Sequence, residues 1–107
     1  MNDTPAWQPT SESELRSLIA SDEAAMEPAT LKFWRWVQVN PTKWSLHPVG
    51  DECGFWVVAV LGQRCIWFND IEGGFNLSRF KEFGDIGEEF CNQDDLDLCV
   101  RRLLATH

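Results

Sequence analysis

The chain has no tyrosine, no Cys-x-x-Cys pair and no apolar run long enough to cross a bilayer. A transmembrane helix needs about 20 consecutive, mostly apolar residues, so none is expected. The four cysteines, Cys53, Cys65, Cys91 and Cys99, lack the spacing of a zinc or redox motif and read as free thiols in a reducing compartment. The segment Met1-Asn2-Asp3-Thr4-Pro5 has neither a basic n-region nor an apolar h-region. No signal peptide is expected, and the location reads as cytoplasmic. Positive charge is scarce: 9 Lys and Arg stand against 17 Asp and Glu, a net charge of −8. Phosphate backbones and anionic membranes repel such a surface, so neither nucleic acid nor membrane is an expected partner. A basic protein partner is favoured, with a steered, salt-sensitive encounter. Solubility alone is the competing explanation of the charge.

Common catalytic motifs are missing as well. Gly73-Gly74 lacks the G-x-x-x-x-G-K-[ST] pattern and reads as a turn that needs positive φ. There is no G-x-S-x-G elbow and no H-E-x-x-H helix. A nucleophilic cysteine needs a nearby base, and His47 and His107 are the only imidazoles. Cys99 falls on an apolar helix face and Cys65 within a strand, so both read as buried and inert. Cys91 precedes a helix N-terminus, where a thiolate is favoured, but a packing role is the simpler reading. A zinc site from His47, Cys53 and two further thiols has no supporting spacing. No catalytic residue, metal site or cofactor is therefore assigned.

What the chain does have is a greasy ribbon. Phe55-Trp56-Val57-Val58-Ala59-Val60-Leu61 and Arg64-Cys65-Ile66-Trp67-Phe68-Asn69 flank Gly62-Gln63, a two-residue hairpin turn. Both arms are apolar on both faces, unlike a hairpin with one wet side. Strict alternation sends Trp56, Val58 and Val60 one way and Phe55, Val57, Ala59 and Leu61 the other. The second face therefore needs a cover: the N-terminal tail, a long loop, a partner or a second copy.

Around this ribbon the 107 residues suffice for one domain and one core. Residues 1–10 read as a loose tail that Trp7 can pin, and residues 11–107 as a single domain. Ser11-x-x-Glu14 is a capping box for a helix over 11–25, which Glu27-Pro28 ends. The β-branched and aromatic content of Trp34–Val39 favours a strand, with a short helix over the first half of 31–39 as the competing reading. Asn40-Pro41 reads as a turn, and Lys43-Trp44-Ser45-Leu46 as a short edge strand. Phe75-Asn76-Leu77 and Glu88-Glu89-Phe90-Cys91 supply further strands. Asn92 caps a last helix with Asp95 completing the box, and Leu96, Cys99, Val100, Leu103 and Leu104 form its apolar face. The expected fold class is α+β, an antiparallel sheet of about four to five strands with an N-terminal and a C-terminal helix packed on one face.

The hairpin brings its two outer ends together. Asp51 and Glu52 enter there, Asp70 and Glu72 leave, and His47 lies just upstream. Clustered carboxylates raise one another's pKa, and they also form a rim suited to a basic protein. Trp34, Trp36 and Trp56 are the candidate apolar anchors, because buried aromatics dominate interface energies. The expected function is a non-enzymatic, acidic protein-binding domain that uses these seven residues. A small enzyme or divalent-metal domain using His47 and the loop carboxylates is the alternative. A homodimer through an uncovered sheet face is a further option.

At Gly54-Phe55-Trp56-Val57-Val58-Ala59-Val60, at Trp67 to Asn76, and at Cys91-Asn92-Gln93-Asp94-Asp95-Leu96, the chain resembles a group of small uncharacterised bacterial proteins. The resemblance spans about residues 10–107 and implies a bacterial cytosolic setting, without a transferable activity. In general character the chain is also similar to the immunity proteins that block bacterial toxins, an analogy at the level of fold alone.

Overall fold

The computed structural model describes residues 10–45, 54–70, 73–86 and 94–106. Helices α1 (Glu12–Ala25) and α2 (Pro28–Val37) come first. Strands β1 (Gln38–Trp44), β2 (Phe55–Leu61), β3 (Arg64–Asn69) and β4 (Gly74–Arg79) follow, and α3 (Leu96–Thr106) comes last. The four strands form one antiparallel sheet in the order β1-β2-β3-β4. The architecture is the expected α+β, with four strands among the described residues.

The capping box forms as the sequence predicts. The Ser11 hydroxyl accepts from the Glu14 N–H at 3.1 Å, and the Glu14 carboxylate accepts from the Ser11 N–H at 3.0 Å. The chain leaves α1 at Met26, which is extended. Pro28 then occupies the first turn of α2, where its missing N–H costs nothing. The same proline that bars α1 from continuing thus starts the next helix.

The strand expected over Trp34–Val39 is corrected here: Trp34 to Val37 belong to α2, and β1 begins at Gln38. At helical period Thr30, Phe33, Trp34 and Val37 fall on one stripe, and all four are buried. Burying that stripe outweighs the modest β preference of the individual residues. The expected turn at Asn40-Pro41 is likewise part of β1. β1 is an edge strand whose register slips between Gln38 and Thr42, and edges tolerate a proline.

The hairpin has its expected bounds, but its facing differs. Val57 pairs with Trp67 and Ala59 with Ile66, so β2 spends one extra residue at Val58. A bulge of this kind reverses the alternation beyond it. Ala59 and Leu61 therefore join Trp56 and Val58 on the helical side, while Val60 joins Phe55 and Val57 on the other.

All three helices contribute to the core on the first face, through Leu15 of α1, Phe33, Trp34 and Val37 of α2, and Leu96, Val100 and Leu103 of α3. The second face is closed by the chain's own residues. Trp44, Phe55, Val57, Cys65, Trp67, Phe80 and Ile86 form a separate buried cluster. The chain beyond β4 is laced to the end of β1, since Ser45 donates its N–H to the Gly84 carbonyl at 3.0 Å and accepts from the Ile86 N–H at 2.8 Å. Gly54, with φ of 67°, leads into β2 where a Cβ would stand 2.9 Å from the Trp44 carbonyl oxygen, so glycine alone fits.

The cap of α3 is also corrected. The helix starts at Leu96, and Asp95 rather than Asn92 takes the capping position, its Oδ1 accepting from the Leu98 N–H at 2.9 Å. Asn92, Cys91 and the strand expected over 88–91 lie outside the described residues. A second acceptor comes from α1, where Asp22 Oδ2 takes the Leu96 N–H at 2.9 Å. Burial raises the Asp22 pKa above its ordinary 3.8, against the Leu96 hydrogen bond, and the charges of Asp95 and Asp97 add to the rise.

This raised value has a sign in stability. Below the ordinary value Asp22 is protonated in both states. As pH climbs from 3.8 through the raised folded value, the folded chain keeps a proton the unfolded chain has lost, and stability falls. Asp22→Asn retains an acceptor without the charge. Its melting temperature is expected to exceed wild type at pH 7 and to match it near about pH 3. A variant that melts at or below wild type at neutral pH would show that the charge on this cap outweighs its desolvation.

Candidate interaction surfaces

Of the four carboxylates expected on the rim, Asp51, Glu52 and Glu72 lie outside the described residues, as does His47. Asp70 is described, and it is turned to an internal task. Its Oδ2 accepts from the Thr10 N–H at 2.8 Å, while Oδ1 is buried without a partner. Trp56 grips the same residue from the other side, its Nε1 donating to the Thr10 carbonyl at 2.8 Å. Together they moor the start of α1 to β2 and to the end of β3. The Lys43 ammonium stands 4.8 Å from the centre of the Trp56 ring, within cation–π range.

Trp34 and Trp36 part company. A strand would place both on one face; a helix turns them roughly 200° apart. Trp34 is 1% exposed, and its Nε1 donates to Glu23 Oε2 at 2.6 Å. It is a core residue and offers nothing to a partner, a correction to its expected role as an anchor. Trp36 is 76% exposed, with its ring tilted against Phe33 at 6.4 Å.

Sequence reasoning missed Phe83. It is 78% exposed, yet its ring rests on buried Trp44 at 4.7 Å and near Phe80 at 6.4 Å. Glu82 and Asp85 flank it on a tight turn closed by the Asp85 N–H and the Glu82 carbonyl at 3.1 Å. The three aromatics therefore stack from core to solvent on the sheet face opposite the helices. The available signal was the triplet spacing of Phe80 and Phe83 just ahead of Gly84.

The described thiols are sealed. Cys65 and Cys99 are buried, and burial pushes the Cys99 thiol up to about 12, with Asp94 adding to the rise. Cys99 therefore stays protonated at neutral pH, and burial screens both thiols from reagents. Iodoacetamide followed by peptide mapping is expected to leave Cys65 and Cys99 unlabelled in the native protein and to label both in urea. Native labelling at either site would mean that its cover opens. Among the described residues no three His, Cys, Asp or Glu side chains gather as metal ligands. No described helix is long and apolar enough to cross a membrane.

Two exposed rings of unlike surroundings thus stand on the two sides of the sheet: Phe83 beside carboxylates, and Trp36 beside Lys32 and Arg35. Comparison with protein-family models, curated proteins and solved structures finds no match to this chain.

Proposed function

We propose that the chain is a small non-enzymatic protein-binding domain that engages a basic partner, with inhibition or immunity as its most concrete form. The observation that carries the reading is Phe83. A 78% exposed ring, bracketed by Glu82 and Asp85 and braced by buried Trp44, stands on a chain of net charge −8. Large rings left in water beside like-signed charges suit a contact anchor. The Trp44 and Phe80 platform holds the ring in advance, which lowers the ordering cost of binding. The net charge adds long-range steering of a cationic protein.

The test is capture from the native host on immobilised protein, run in parallel with Phe83→Ala and with a triple reversal of Asp51, Glu52 and Glu72 to Lys. The expected catch is a basic protein that elutes with salt and is weakened about tenfold or more by either variant. Capture of acidic proteins only, or a catch that survives both variants, defeats the reading.

A further inference from the structure

The outer face of α2 carries a second contact surface of opposite local sign. Ala29, Lys32, Phe33, Arg35 and Trp36 line an open depression of about 550 Å³. Ala29, Lys32, Phe33 and Trp36 recur at the three-, four- and seven-residue steps of one helix face. Among the lining residues Ala29 is small, Phe33 is buried and Trp36 is exposed.

The cations are what set this surface apart. All nine Lys and Arg lie among the described residues. Arg16 pairs with Glu12 at 2.8 Å, Arg101 with Asp97 at 3.3 Å and Arg102 with Asp94 at 2.9 Å. Lys43 sits over Trp56, and Arg64 and Arg79 also have partners. Lys32, Arg35 and Lys81 are exposed and make no ion pair among the described residues, although acidic residues outnumber basic ones 17 to 9. Two of these three cations line the hollow beside Trp36. Arg35 in the last turn also complements the helix dipole. That accounts neither for Lys32 nor for an indole left in water.

We propose that this face docks an acidic protein segment, one large apolar side chain entering the hollow over Ala29 while carboxylates meet Lys32 and Arg35. Arg35 offers a planar fork that matches a carboxylate, and Lys32 a point charge one turn away. A short segment meets only the local cations Lys32 and Arg35, within the screening length, and that selects it over two extended occupants that would face the whole chain. A membrane rich in anionic lipid would attract two cations but repel a chain of net −8. A second copy carries the same net charge and is repelled at long range. The surface is independent of Phe83, so this proposal and the capture of a basic partner stand or fall separately.

The test selects a display library of random 12-residue peptides on the immobilised full chain, with counter-selection on Trp36→Ala. Enriched peptides are then synthesised and titrated by fluorescence anisotropy. The expected peptides carry net negative charge and a Trp, Phe or Leu. Trp36→Ala and the double variant Lys32→Glu, Arg35→Glu are each expected to weaken binding tenfold or more, while Phe83→Ala leaves it unchanged. Affinity is expected to fall as salt rises. The melting temperatures of the surface variants are expected to stay close to wild type, which separates lost contact from lost fold. Absence of enrichment, enrichment of neutral or basic peptides, or equal binding by the double variant overturns the proposal. Binding to phosphatidylserine vesicles that requires Trp36, without peptide enrichment, would assign the face to a membrane. Self-association in sedimentation that Trp36→Ala abolishes would assign it to a second copy. Either result also overturns the acidic segment.

Discussion

Trp67→Ala is expected to cost about 3–5 kcal/mol of folding stability, a large share of the roughly 5–15 kcal/mol a domain possesses. The side chain is fully buried on the sheet face opposite the helices, edge-on to Phe55 at 5.2 Å. Its Nε1 donates to the Ser78 hydroxyl at 2.9 Å in the interior. Truncation removes the ring from a cluster built by three strands and by Phe80 and Ile86, so the space cannot close cheaply. Urea unfolding should show a lower midpoint with an unchanged slope. Trp67→Phe keeps most of the apolar area and gives up the hydrogen bond. Its additional cost from that bond is about 0.5–1.5 kcal/mol. A loss below about 1 kcal/mol for the alanine variant would mean that this face is wetted rather than a second core.

Trp34→Ala and Trp36→Ala form the second expectation, and their contrast is its content. Trp34→Ala is expected to cost about 3–5 kcal/mol, because a buried indole and its 2.6 Å bond to Glu23 are lost together. That bond goes to a carboxylate, which makes it stronger than a neutral one. Trp36→Ala should stay within about 0.5 kcal/mol of wild type, as surface substitutions do. Two residues apart on a strand, the pair would share a face and respond alike. On α2 they separate into core and surface. Equal losses at both positions would contradict the helix and with it the docking face that depends on Trp36.

Much of the fold was legible because it is written locally. The Gly62-Gln63 turn, the Ser11 and Glu14 capping box and the stripe Leu96, Cys99, Val100, Leu103 each act within a few residues, and each element formed. Segment 31–39 was ambiguous because its aromatic and β-branched residues suit a strand, while their burial at a 3.6-residue period suits a helix. Only the presence of a core beneath Phe33, Trp34 and Val37 resolves the two. Of the expected site, Trp56 and Asp70 turned inward onto Thr10, a residue far away in the chain. No spacing rule reports such a partner. Phe83 was overlooked for the converse reason: its exposure depends on Trp44 lying beneath it.

By itself the sequence determined the fold class, the hairpin, the ends of α1 and the charge, since turn chemistry, capping and composition act over short range. Only the tertiary structure decided that Val58 is an extra residue, that residues 80–86 close the second face, and that Trp34 is buried while Trp36 is not. Those outcomes are set by how surfaces distant in the chain fit together, because a side chain's burial belongs to its neighbours in space and not to its neighbours in sequence.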